Sequence, residues 1–169
     1  MGGAATARRA GQIHATGANG TIGTGPCLAI GAWAANGKPV LWYTGDGSFG
    51  FYAMELDTMA RLGIPVICVI SNDSAWGMIR LVEGHLRREE IDARGHCAND
   101  LAPMRDYDLM AQMWGGYGEK VTEPDEILPA IRRALARGNG RPSIVNVQVD
   151  DVSLSPFIAG YANMVAPAH

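Results

Sequence analysis

The sequence predicts an α/β domain built as an open, doubly wound parallel sheet with helices on both faces. Three observations lead there. Short strand-like runs, "VLWYT" at 40–44, "VICVIS" at 66–71 and "SIVNVQV" at 143–149, recur between stretches of helical period, and strands that alternate with helices form parallel sheets. The second run is apolar without alternation, as a strand covered on both faces requires. The segment between the first two runs has the length of a crossover: about 14 helical residues at ~1.5 Å rise span ~21 Å, and about six strand residues at ~3.3 Å span ~20 Å.

Each element has its own local reason. Residues 1–12, "MGGAATARRAGQ", have no period and are expected to form a flexible leader, with the domain proper over 13–169. "GPCLAIGAWAANG" reads as an Ala-rich helix that Gly37 and Pro39 can terminate. From Phe49 to Leu62 the spacing of Leu56, Met59 and Ala60 predicts one helix, supported by Asp57 and Arg61 four apart and stopped by Gly63 and Pro65. Residues 84–105 are polar and irregular and read as a long surface loop. "DYDLMAQMWG" and "PDEILPAIRRALARGNG" read as helices, although Pro129 disturbs the first turn of the latter. "LSPFIAGYANMV" reads as a C-terminal tail.

Composition sets limits on function. The 169 residues are 47% apolar and 18% charged, enough for one domain with a real core and too apolar for a disordered chain. The net charge is −3 and no run of arginines is longer than a pair, such as Arg132-Arg133, so nucleic acid is not an expected partner. Cys27 and Cys68 lie in apolar runs and are expected to be buried thiols of a reducing compartment, and no C-x-x-C occurs. His96-Cys97 pairs a thiol with a base in sequence only, since neighbours on a loop rarely face each other. No apolar run approaches membrane-spanning length, and the chain reads as cytoplasmic.

The chemistry concentrates in "GDGSFGFYAMELDTMARLGIPVICVISND". A right-handed crossover brings the carboxyl end of the second strand beside that of the first. Asp46 and the pair Asn72-Asp73 then share the rim where open α/β sheets bind ligands. Gly45 and Gly47 allow close backbone approach, and a helix that begins after Ser48 offers free N–H groups to a phosphate. Carboxylate, amide and carbonyl oxygens next to a phosphate describe a magnesium site, because that hard ion takes oxygen ligands. Asp-Gly and Asn-Asp are also ordinary turn residues; only the whole strand–GDGS–helix–strand–ND order is specific.

That segment resembles the cofactor motif of thiamine diphosphate-dependent enzymes, a G-D-G followed some two dozen residues later by N-N, and is most similar to benzaldehyde lyase, 2-hydroxyacyl-CoA lyases and acetolactate synthases. The resemblance covers nearly all of the chain after residue 12, but only the diphosphate-binding domain of enzymes that normally carry two more. It implies magnesium ligands at Asp46, Asp73 and the Ala75 carbonyl, with Asp73 standing where most relatives have Asn. It implies diphosphate contacts from Ser48 and the backbone of Gly47, Trp76 and Gly77, and adds Gly45 and Asn72, which matches the first Asn of the motif pair, to the cofactor-binding residues. "NGTIGTG" resembles the family's turn that grips the aminopyrimidine, with Gly20 and Thr21 beside the ring and Ile22 wedged so that the cofactor bends. That bend sets the amino group near the reactive carbon, a proximity effect. Met78 falls where relatives face the substrate. Ile22 and Met78 are therefore the catalytic candidates, although both are also ordinary core residues.

A rival fingerprint exists. "TGANGTIG" fits the T-G-x-x-G-x-x-G of short-chain dehydrogenases, but that motif must follow a buried strand. Here "ARRAGQIHA" precedes it, and no Y-x-x-x-K pair occurs, since Tyr117 and Lys120 are three apart. The motifs are also compatible with a cofactor-binding module without catalysis, and with an acetolactate synthase-like transferase or 2-oxo acid decarboxylase subunit. The expectation is the thiamine diphosphate- and Mg2+-binding half of a lyase or carboligase acting on a small 2-hydroxyacyl or 2-oxo acid substrate. The resemblance places the ring-protonating glutamate on a separate pyrimidine-binding domain or subunit, usually in an oligomer. Glu55, inside the crossover, cannot stand in for it.

Overall fold

A computed structural model of the chain describes residues 7–16 and 20–150. The expected tail and the first six residues of the expected leader lie outside those described. Residues 7–16 are exposed throughout, with the Arg8 and Arg9 amides donating to the Gln12 side chain.

Among the described residues four strands form one parallel sheet: β1 (Val40–Gly45), β2 (Val66–Asn72), β3 (Gly118–Val121) and β4 (Ser143–Gln148), in the order β1-β2-β4-β3. Two apolar layers cover it. On one face Trp42, Val66, Cys68, Ile70 and Ile144 pack with Ala29 of α1 (Gly25–Asn36), Phe49 of α2 (Asp46–Tyr52) and Leu56 and Met59 of α3 (Glu55–Leu62). On the other, Ile67, Val69, Val145 and Val147 pack with Ala130 and Ala134 of α7 (Ile127–Arg137). The doubly wound α/β expectation therefore holds. Both faces are dry because β2 and β4 are apolar at successive positions, not alternate ones.

Local details depart from expectation in four places. The single helix expected over Phe49–Leu62 is two, and the first begins at Asp46, directly at the strand end. Between them the Leu56 and Asp57 amides bond three residues back, to Ala53 and Met54, a tight turn that redirects the chain. The expected loop over 84–105 instead holds the last residues of α4 (Gly77–Leu86) and a further helix, α5 (Arg88–Arg94). The short polar strand β3 had no periodicity to announce it. Cys27 is exposed on the outer side of α1, while Cys68 is buried as expected. Pro129 is tolerated because it sits in the first turn of α7, where its missing N–H has no partner to lose.

The carboxyl end of the sheet is closed by a polar knot. Asn72 Nδ2 donates to the Arg105 carbonyl at 3.1 Å and to Asn146 Oδ1 at 3.2 Å. Asn146 Nδ2 donates to the same carbonyl at 2.8 Å and to Asp108 Oδ1 at 3.2 Å. Both asparagines are fully buried. Buried amides stay in place only when their bonds are made, so the knot pins the segment before α6 (Leu109–Met113) over the ends of β2 and β4. Replacing Asn146 with Ala strands the Asn72 donor and should cost about 1–3 kcal/mol in denaturant unfolding; an unchanged midpoint would show that the knot does not hold this end of the sheet.

Candidate functional site

The site grows from the register of β1 against β2. Gly45 pairs with Ser71, so Asp46 leaves β1 beside Asn72, the last residue of β2, which Asp73 follows. Gly45 is extended, with φ −87° and ψ 161°, and the chain turns at once into α2, which places the Asp46 side chain in the interior at 2% exposure. Asp46 Oδ1 accepts from the Gly47 amide at 3.0 Å. Its other oxygen, Oδ2, is buried without a hydrogen-bond partner. The Asp73 carboxylate faces it. Burial, then the negative charge of Asp73, pushes the Asp46 carboxyl up to about 6.

A buried carboxylate oxygen without a hydrogen-bond partner, opposite a second carboxylate, is an arrangement that a bound proton or a cation would neutralise. The hard oxygen donors fit a small divalent ion. Among the described residues no cluster of three or more His, Cys, Asp or Glu side chains is placed to hold a metal. The remaining ligands would have to be backbone carbonyl, water and ligand oxygen, which is how Mg2+ is usually held.

The other expected residues divide into those that gather here and one that turns away. Asp73 Oδ1 accepts from the Ala75 amide at 3.3 Å, curling the backbone into a turn that leads into α4. Trp76 lies over Gly47, where an added Cβ would sit 2.8 Å from the indole, and meets Phe51 edge-on with ring centroids 5.6 Å apart. The starts of α2 and α4 are thereby brought together. Ser48 Oγ accepts from the Gly23 amide at 3.0 Å, tying the Gly20–Gly23 turn to α2, and the hydroxyl proton can still be donated to an anion. Gly20, Thr21 and Ile22 are exposed beside it, Ile22 at 46%, and Met78 is 46% exposed at the first turn of α4. Neither Ile22 nor Met78 is core. Asn72 is the exception: its amide donates into the knot and its Oδ1 accepts from the Ser74 amide at 3.2 Å. Its side chain shapes the turn and is not directed outward to a ligand.

The end of the polar stretch read as a surface loop, residues 99–104, backs this turn, a pairing that sequence patterns did not indicate. The Trp76 amide donates to the Asn99 carbonyl at 2.8 Å and the Leu101 amide to the Ser74 carbonyl at 2.7 Å, pairing Ala75 with Asp100 in an antiparallel bridge. Met104 N donates to Ser74 Oγ at 2.7 Å. His96 and Cys97, not expected to act as a thiol–base pair, do not face each other: His96 is turned to Glu83 at 3.0 Å, and Cys97 is exposed.

Comparison with known proteins bears on this geometry. The family profile described as thiamine pyrophosphate enzyme, C-terminal TPP binding domain, matches residues 2–147. The chain is 37% identical over 132 residues to the acetolactate synthase large subunit IlvG of Mycobacterium tuberculosis and 35% identical over 136 residues to the oxalyl-CoA decarboxylase of Escherichia coli. It is 37% identical over 139 residues to the 2-hydroxyacyl-CoA lyase 2 of Caenorhabditis elegans. These matches take in 78%, 78% and 79% of this chain but only 23%, 22% and 20% of the relatives, so the chain spans under a quarter of their length. The crystal structure of benzoylformate decarboxylase from Polynucleobacter necessarius superposes with a TM-score of 0.63 at 24% identity, over 80% of this chain and 25% of that one, a likeness of fold. No helix among the described residues is long and apolar enough to cross a membrane.

Two outcomes follow from the geometry. The Asp46 carboxyl titrates higher in the folded chain than in the unfolded one. Its favourable contribution is therefore complete below the ordinary carboxylate range and is lost as pH rises through about 6. In metal-free buffer at pH 7.5, Asp46→Asn should be more stable than the wild type by about 1–3 kcal/mol, with the gap closing towards pH 4; a mutant less stable than wild type at pH 7.5 would rule out the repulsion. At Gly77 a Cβ would stand 2.6 Å from Asp73 Oδ2. Gly77→Ala should raise the half-saturating concentration of divalent cation by about tenfold or more while leaving the melting temperature nearly unchanged, and calorimetry that finds equal affinity would remove Asp73 from the site.

Proposed function

The chain belongs to the thiamine pyrophosphate enzymes, matching their C-terminal cofactor-binding domain, and on that premise we propose that it is the diphosphate- and magnesium-binding half of a C–C lyase or carboligase of the 2-hydroxyacyl-CoA lyase or benzaldehyde lyase type. The observation that carries this reading is the orphan oxygen of buried Asp46 opposite Asp73, at the adjoining ends of two parallel strands. Asp46, Asp73 and the Ala75 carbonyl would hold a divalent ion there, which would offset the charge of both carboxylates beside a diphosphate. The backbone of Gly47, Trp76 and Gly77 and the Ser48 hydroxyl would take the rest of the diphosphate, using the N–H groups where two helices begin.

When bound, thiamine diphosphate supplies a ring that stores an electron pair as a bond next to a carbonyl breaks or forms. The chain's own residues bind and orient. Gly20 and Thr21 would flank the pyrimidine side, Ile22 would offer an apolar wedge, and Met78 would face the substrate. The proton-transfer glutamate would come from a pyrimidine-binding domain or subunit, and the small share of each relative that this chain spans supports such a partner. The match to acetolactate synthase, as high as that to the lyase at 37%, supports a synthase-like transferase as the second reading.

Thiamine diphosphate should bind the chain in calorimetry when MgCl2 is present and not when it is replaced by EDTA, and NADP should leave the melting temperature unmoved. With cofactor and magnesium but no partner, cleavage of 2-hydroxyacyl-CoA, 2-hydroxy ketones or pyruvate should stay far below ordinary enzymatic rates of ~1 per second. Cofactor binding that is indifferent to magnesium would defeat the metal assignment, and turnover by the chain alone would defeat the divided site.

A further inference from the structure

Resting on the function proposed for this site, we propose that Asn99 is a positioning residue for the Ala75 carbonyl, held in place by Glu83 and His96. The antiparallel bridge gives the direction of that carbonyl. Because the Ser74 carbonyl and the Trp76 amide both bond to the 99–101 segment, the N–H and C=O of Ala75 between them face the opposite way. The Ala75 amide confirms that direction by donating to Asp73 Oδ1 at 3.3 Å. In extended backbone the carbonyl of a residue points to the same side as its amide, so the Ala75 oxygen is aimed to the side on which the Asp73 carboxylate lies. The bridge sets this aim.

The bridge is itself locked. Asn99, 7% exposed, donates its side-chain amide to Glu83 Oε2, and His96 Nδ1 meets the same oxygen at 3.0 Å. Glu83 lies on α4, whose first residue, Gly77, directly follows the turn. A closed ring results: Trp76 to Asn99 through the backbone, Asn99 to Glu83 through side chains, and Glu83 back to Gly77 along the helix. The two bonds from His96 and Asn99, with the Cys97 amide, hold the Glu83 carboxyl below its usual range despite partial burial.

Backbone strain marks the same place. Four non-glycine residues among those described have positive φ, and three of them, Ser74 at 57°, Ala98 at 56° and Met104 at 42°, lie in the two segments that pair here. Such conformations cost energy and persist only where surrounding contacts impose them. Of these residues, Ser74 sits in the turn that carries the Asp73 carboxylate and the Ala75 carbonyl, where its carbonyl is bonded by the Leu101 amide and its Oγ by the Met104 amide.

The test separates aim from mere support. Mg2+ demands near-octahedral ligands at short distance, whereas Ca2+ accepts longer and less regular ones. Asn99→Ala should raise the half-saturating Mg2+ for thiamine diphosphate binding about 10- to 100-fold, with a much smaller rise for Ca2+, and amide exchange at Trp76 should accelerate while that of Leu56 in the core does not. Glu83→Ala should repeat the loss of Mg2+ preference, and Glu83→Gln, which keeps an oxygen for Asn99, should restore most of it; this pair carries the test if Asn99→Ala does not fold. Equal losses for both cations, or unchanged Trp76 exchange, would overturn the positioning role while leaving the cofactor site standing. A wild-type chain that binds thiamine diphosphate with neither cation would overturn the functional reading, and this inference with it.

Discussion

Val40 pairs with Val66 and, at the far end of the same ladder, Gly45 pairs with Ser71; the rest of the site depends on that register. A parallel pair cannot be closed by a hairpin, so the chain must cross over the sheet. In doing so it buries Phe49, Leu56 and Met59 against Trp42 and Ile70. The same packing that stabilises the crossover delivers two carboxylates to one rim. A slip of one residue would turn every β2 side chain to the opposite face, breaking the fit of Val66, Cys68 and Ile70 to the crossover helices and moving Asp73 away from Asp46.

At that rim the protein accepts an electrostatic cost that its core offsets. A carboxylate taken out of water without a partner is unfavourable by several kcal/mol unless it protonates or meets a cation, and Asp46 shows the first response in its raised titration. The second response is the one the proposed function assigns to this site. The glycines serve the same end. At Gly47 and Gly77 any side chain would collide with Trp76 or with the Asp73 carboxylate, so the absent Cβ atoms are what let two helix starts and the turn that carries Asp73 occupy one small volume.

Much of this was legible in the chain. The strand runs, the caps at Gly37 and Gly63, both in the left-handed region, and the Asp57–Arg61 pair at 3.0 Å follow from local chemistry. So does the approach of Asp46 to Asp73, because adjacent parallel strands end on the same rim, although the crossover is two helices and not the single one whose length matches the strand. The misses have a common cause. β3 is a short polar edge whose residues Glu119 and Lys120 serve neighbouring ion pairs, and polar edges carry no periodic signal. Cys27 sits in an apolar run, but composition does not say which side of a nearly all-apolar helix faces out.

The sequence by itself determined the fold class, the pair of strand ends and the residue types that suit a hard cation beside a diphosphate, because all three depend on spacing along the chain. Only the tertiary structure decided that Asn72 turns inward to Asn146, that residues 99–101 form a bridge behind Ala75, and that Glu83 closes the ring. These contacts join residues 16 to 74 positions apart, and no local pattern encodes which polar groups will meet once the apolar faces have set the backbone. Hydrophobic periodicity chooses the scaffold; the directions of individual carbonyls and carboxylates are fixed afterwards, by hydrogen bonds that exist only in the folded chain.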